Sequence, residues 1–112
     1  MLRSVLKSEI HGATVTDSLL DRREGLELPS DLVDEVGLCD GERILVASVT
    51  SGVRLETHVS AGDPRTGKVA VCGSVAQRLA RGERLTIMAF GFSHEPVLPQ
   101  KAVLTERNEL ER

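Results

Sequence analysis

Tryptophan and tyrosine are absent from this 112-residue sequence, and two phenylalanines make up its 2% aromatic content. A core without aromatic rings must be filled by aliphatic side chains, here Val, Leu, Ile and Ala. Cysteine is scarce: Cys39 and Cys72 form neither a CxxC nor a Cys/His zinc spacing, so the expectation is no metal site and two free thiols. Basic charge is not in excess, since 14 Lys and Arg face 17 Asp and Glu for a net charge of -3. The two signs are interleaved, whereas a duplex-binding domain carries a basic footprint. Long apolar runs are missing too. The longest, Leu85–Phe92, is interrupted by Thr86 and falls short of a bilayer span. The first residues alternate charged and apolar side chains, unlike a signal peptide. These absences predict a soluble, cytoplasmic protein with neither membrane nor nucleic-acid partner. The length favours one domain with a modest core, and burial against identical subunits would supplement that core.

What is present reads mainly as β-structure. Met1–His11 is a predicted strand continued by Ala13–Thr16, and Asp17–Glu27 breaks periodicity as a loop. Pro29-Ser30-Asp31 marks a helix start, with Gly37 as its stop. Glu42–Thr50 is an apolar, β-branched strand, and Ser51-Gly52 a tight turn. In the next strand Val53, Leu55, Thr57 and Val59 alternate with Arg54, Glu56, His58 and Ser60, the period-2 pattern of a half-buried strand. Lys68–Cys72, Glu83–Phe92 and Lys101–Thr105 are further strands, and Ser74–Ala80 a short helix. Residues 1–106 form the expected domain, and 107–112 a charged, frayed tail.

The sequence also echoes itself. A helix, then Asp40-Gly41-Glu42-Arg43 and the strand Ile44–Val49, is matched by a helix, then Arg81-Gly82-Glu83-Arg84 and the strand Leu85–Phe90. Repeats report architecture, and this one predicts a pseudo-twofold closed barrel.

The opening residues Met1-Leu2-Arg3-Ser4-Val5-Leu6-Lys7-Ser8-Glu9-Ile10-His11-Gly12-Ala13-Thr14-Val15-Thr16 resemble the start of aspartate 1-decarboxylases. The likeness continues through Val49–Thr57 and Cys72–Ala76. It implies a double-psi β-barrel with two short helices, assembled as a homotetramer. In that family the chain cuts itself at a Gly-Ser bond, and the serine becomes a pyruvoyl group. Here the matching segment is Leu20-Asp21-Arg22-Arg23-Glu24-Gly25-Leu26-Glu27-Leu28. Gly25 takes the serine's place, or Leu26 if the segment slides by one. Neither has a nucleophile, so Glu24, Gly25 and Leu26 mark a lost cleavage site, and no cofactor is expected. Further departures change the pocket: Glu9 stands for a lysine, Arg22 and His58 for tyrosines, and Cys72 for an asparagine.

The resemblance retains His11, Arg54, Thr57 and Gly73. It makes Arg54 a clamp for a substrate carboxylate, which guanidinium geometry suits. The plain alternative is a solvated arginine on an outer face. His58 and His11 are candidate proton carriers, because histidine gives and takes protons near neutrality. Thr57 resembles the residue that supports self-cleavage. Glu9 is either a buried base or a charged strand residue. Gly73 and Ser74 offer backbone N–H groups to an anion, or simply to a helix cap. Cys72, a substrate-binding candidate, reads as a buried, inert thiol, with a nucleophile as the alternative.

The expected activity is an uncut, pyruvoyl-independent enzyme that moves protons on a small acidic metabolite, by cyclisation, isomerisation, elimination or decarboxylation, in a specialised biosynthetic pathway. The alternatives are an authentic aspartate 1-decarboxylase making β-alanine and a non-catalytic binding or regulatory subunit. Leu28–Ile44 also resembles the helix-and-strand repeat of swapped-hairpin, antitoxin-type DNA-binding proteins, a reading the acidic balance opposes.

Overall fold

The computed structural model describes residues 1–111, and residue 112 of the expected tail lies outside them. The described residues form β1 (Arg3–Thr14), β2 (Asp17–Leu19), β3 (Gly25–Pro29), α1 (Ser30–Glu35), β4 (Arg43–Ser48), β5 (Arg54–Gly62), β6 (Ala70–Cys72), α2 (Val75–Arg78), β7 (Arg84–Ser93) and β8 (Gln100–Val103). The strand order is β2-β6-β3-β5-β4-β7-β1-β8. Only Val15 and Thr16 separate β2 from β1 in sequence, so pairing β2 with β6 brings the two ends of that order together. The result is the mainly β, double-psi barrel that the repeat and the resemblance predict. None of its helices is long and apolar enough to cross a membrane.

The repeat is visible bond by bond. Gly41 N–H donates to Val59 O at 2.7 Å, and Gly82 N–H to Val15 O at 2.8 Å. Val59 N–H and Val15 N–H return the bond to Glu42 O and Glu83 O, both at 3.0 Å. The two glutamates also fold back onto the turn before them: Cys39 N–H donates to Glu42 Oε1 at 3.0 Å and Ala80 N–H to Glu83 Oε2 at 2.7 Å. β4 and β7 then pair antiparallel with Val46 opposite Ile87, which are equivalent positions of the two copies. The pseudo-dyad therefore passes through that pair, and both side chains are fully buried.

The core is aliphatic throughout. Ile10, Leu26, Leu28, Ile44, Val46, Val59, Leu85 and Ile87 are among its fully enclosed members. β5 keeps the expected alternation, with Thr57 and Val59 inward and Arg54, Glu56 and His58 outward.

Three expectations need correction. Asp17–Glu27 is not one loop: it holds β2 and the start of β3. Leu26 and Leu28 alternate with Glu27 over too few residues to stand out, and pairing with β5 and β6 settles the strand. The second helix is shorter than Ser74–Ala80, because Leu79 turns to extended backbone and enters the core, 1% exposed. The tail does not fray over residues 107–111. Asn108 is buried and holds Thr14 N–H, Thr14 O and Gly67 O through its side-chain amide, at 2.7, 2.9 and 2.8 Å.

The Glu83 carboxylate is held below the usual carboxylate range chiefly by the Ser48 hydroxyl, helped by Ala80 N–H and Ser51 and opposed by burial. A lowered folded pKa gives stability that is present above the unfolded value and lost as pH falls through the folded one. Thermal melts should show wild type above Glu83→Gln at neutral pH, with the gap closing once pH drops below the ordinary value of 4.5. A gap unchanged down to strongly acid pH would place the residue's contribution elsewhere. In the same melts Ile87→Ala, at the dyad, should cost about 2–5 kcal/mol.

Candidate functional site

The candidate residues fall into two groups. The first surrounds the segment where the family cuts itself. Gly25 opens β3 and pairs with Cys72 of β6, while Leu26 pairs with Val59 of β5. These pairings put Gly25 against His58: a Cβ on residue 25 would lie 3.2 Å from His58 O and 3.3 Å from its Nε2. Gly25 also has φ +150, backbone that a residue with a side chain rarely adopts.

Glu24 is exposed but tied down by side-chain bonds. Its carboxylate accepts from Ser74 N–H at 2.8 Å and from Ser74 Oγ at 2.6 Å. Those bonds, the side-chain one first, lower its pKa against a small burial penalty, with the nearby His58 adding a little. The Glu24 backbone lies so close to Gly73 that a Cβ there would sit 2.9 Å from Glu24 Cα. Glu24, Gly25, His58, Cys72, Gly73 and Ser74 thus form one cluster.

Cys72 is buried, and that burial raises its thiol pKa, with the charge of Glu27 second. This disfavours the thiolate and fits the expected inert thiol. Thr57 precedes by two residues the Val59 that pairs with Leu26, so it stands level with the entry to β3. Its Oγ1 is buried and has no hydrogen-bond partner among the described residues. Such an orphan costs about 1–3 kcal/mol. A cavity of about 410 Å³ opens next to this cluster, lined by Ser18–Arg22.

The second group lies on the outer face of the β5-β4-β7-β1 sheet. Arg54 pairs with Ala47, Ala47 with Thr86, and Thr86 with His11. These residues form one row across four strands. Arg54 and His11 therefore stand about 14 Å apart between Cα atoms, three strand spacings. The next row runs Glu56, Leu45, Met88, Glu9 and Lys101. Glu9 is half-buried there, opposite Lys101, and is not enclosed in the core. His11 is exposed, with Nδ1 3.4 Å from Thr86 Oγ1, a neighbour that only strand register reveals.

His58 shares Arg54's face but lies four residues along β5, about 13 Å away. A single chain therefore does not gather Arg54, His11 and His58 into one pocket. The same face is apolar at its far end: Phe90 and Phe92 are 47% and 77% exposed. They line a cavity of about 320 Å³ with Leu45 and Met88, bordered by the Arg43–Glu56 ion pair at 2.6 Å. The Glu27 carboxylate, with Lys68 at 3.5 Å and Arg22 at 3.8 Å, was missed from the sequence because its partners come from separate elements.

The chain is thus a mainly β, double-psi barrel protein with its candidate residues at one strand end and on one sheet face. The family described as Aspartate decarboxylase matches residues 1–111. An aspartate 1-decarboxylase of Pseudothermotoga lettingae is 32% identical over 111 residues, spanning 97% of this chain and 96% of its own. One from a Thermotoga species is 34% identical over 110 residues, with 98% and 96% covered. One from Corynebacterium efficiens is 40% identical over 90 residues, 80% of this chain and 66% of the relative. The chain belongs to the aspartate decarboxylase family.

Restoring a serine meets the geometry directly. Gly25→Ser should lower the melting temperature, because φ and His58 both oppose a Cβ at that position. Electrophoresis and mass spectrometry should still find it uncut after long incubation. Efficient cleavage by this single variant would show that the segment keeps a competent geometry.

Proposed function

We propose that this protein is a non-processed member of its family, an enzyme without a pyruvoyl group that acts on a small acidic metabolite. The observation that carries this reading is the Glu24-Gly25-Leu26 segment. Self-cleavage needs a side-chain hydroxyl that attacks the preceding carbonyl to form an ester, which breaks by elimination of the upstream carboxylate. Gly25 has no side chain, and Leu26 is inert and fully buried. The segment is also pinned, by Ser74 through Glu24 and by strand pairing through Gly25 and Leu26. These residues do not fit a pyruvoyl group, and no step is assigned to one.

The remaining chemistry is acid–base. Arg54 would hold a carboxylate through its guanidinium, and His58 or His11 would carry a proton at a ring nitrogen. Thr57 Oγ1 would hold a ligand oxygen at the entry to β3, and Cys72, Gly73 and Ser74 would shape the wall. Cyclisation, isomerisation, elimination and simple decarboxylation all lie within reach of such a set, and a specialised biosynthetic pathway is a fitting context. The spacing between Arg54, His11 and His58 on one chain favours a site completed by a second copy, in a homotetramer. Exposed Phe90 and Phe92 support self-association, since exposed apolar patches mark contact surfaces.

The second reading is an authentic aspartate 1-decarboxylase, which the names of the relatives favour. Intact mass separates the two. Full-length mass, apart from loss of Met1, and no imine trapped by borohydride with aspartate are expected here. Two fragments splitting near residue 25, the second with a blocked N-terminus, would restore the ordinary decarboxylase. In a screen of acidic metabolites, Arg54→Ala should abolish turnover; full turnover in that variant would move the carboxylate site elsewhere. Binding without any turnover would favour a regulatory subunit instead.

Assembly is tested separately. Light scattering should report a tetramer at micromolar concentration, and Phe92→Glu should shift it towards smaller species. A stable monomer in wild type would remove the shared-site proposal.

A further inference from the structure

A second cavity lies away from the Gly25 cluster. Pro29, at the opposite end of β3 from Gly25 and about 13 Å away, lines an open cavity of about 570 Å³. Volumes of roughly 300–1,000 Å³ are usual for small-molecule sites. Pro29 and Leu32, both buried, together with half-buried Leu110, give the cavity an apolar wall. Arg65 and Arg107 line it from two segments far apart in sequence, and among the described residues neither guanidinium has an ion-pair or hydrogen-bond partner.

The backbone around the cavity is held in an unusual state. Among the described residues, Arg65 and Asn108 are the two non-glycine positions with left-handed backbone, φ 57 and 61, and both line this cavity. Asparagine tolerates that conformation, but arginine does so at a cost. Arg65 is kept there because its N–H donates to Asp31 Oδ1 at 2.8 Å, while Asn108 Nδ2 holds Gly67 O at 2.8 Å on the other side of the loop. Strained backbone maintained by surrounding bonds is concentrated at binding sites. Of the two acids on the cavity wall, Asp31 is already engaged by that N–H. Among the described residues the Glu109 carboxylate has no partner and could accept from a ligand hydroxyl or amine.

We propose that this cavity binds a small organic anion, a phosphate monoester or a carboxylate on a compact apolar body, with Arg65 and Arg107 holding the anionic group. Planar guanidinium donors match the oxygens of both anions, and the apolar wall takes the body. The site is independent of the reading given for the Gly25 cluster.

Titrating the full chain with phenyl phosphate and with benzoate, followed by backbone amide NMR, tests the assignment. Saturable shifts are expected at Thr66, Gly67 and Asn108. Arg107→Gln should weaken binding by roughly tenfold or more, the loss of a charge-assisted bond. Arg65→Gly suits the left-handed backbone, so it should melt no lower than wild type while also binding roughly tenfold more weakly. Tighter binding of phenyl phosphate identifies a phosphorylated ligand class and tighter binding of benzoate a carboxylate, and either upholds the site. No saturable shift with either probe up to about 10 mM overturns it. So do shifts confined to residues around His58 and Gly25, or wild-type affinity retained by both variants.

Discussion

The pairing of Val46 with Ile87 is the contact from which the rest of the molecule is arranged. Each half of the repeat supplies a helix, a glycine turn closed by a glutamate, and one apolar strand. Neither strand could bury its inner face alone, since isolated strand pairs are marginal in water. Joined antiparallel at equivalent residues, the two copies bury both strands at once. The turns then tie to Val59 and Val15, residues that are themselves related by the dyad. An aliphatic chain without Trp or Tyr can close a barrel this way because the layers are filled by branched side chains of similar size.

The two halves have since taken different chemistry. Glu42 pairs with Lys7 at 2.9 Å, whereas Glu83 accepts from the hydroxyls of Ser48 and Ser51. The barrel end near Gly25 shows a sharper departure. There a carboxylate, that of Glu24, is bonded to Ser74. Glycine at 25 and glycine at 73 permit this close passage. A side chain at residue 25 would press on His58, whose O and Nε2 lie 3.2 and 3.3 Å from the Cβ position.

Legibility from sequence followed the range of the interactions. β5 was readable because Arg54–Val59 alternate between exposed and more buried positions. α1 was readable because Pro29 and Gly37 bracket it. β2 and β3 were not, since three and five residues carry too little periodicity and their strand character comes from β5 and β6. Asn108 looked like one more polar residue in a charged tail. Its importance rests on Thr14 and Gly67, 94 and 41 positions away. Among the candidate residues, Glu24 and Gly25 are neighbours in sequence, but the separation of Arg54, His11 and His58 depends on how many strands lie between them.

By itself, the sequence determined the side-chain chemistry: an aliphatic core, a repeated helix-turn-strand unit, membership of a recognisable family, and a segment Arg22–Leu28 without a hydroxyl side chain. These are properties of composition, period and local order, and they survive without coordinates. Tertiary structure alone decided which groups meet. It set the row from Arg54 to His11, the bond from Glu24 to Ser74, the orphaned hydroxyl of Thr57, and the convergence of Arg65 with Arg107. The reason is register: one residue of slip between two strands would turn every side chain to the opposite face, and register is fixed by burial of the whole barrel, which no local stretch of sequence specifies.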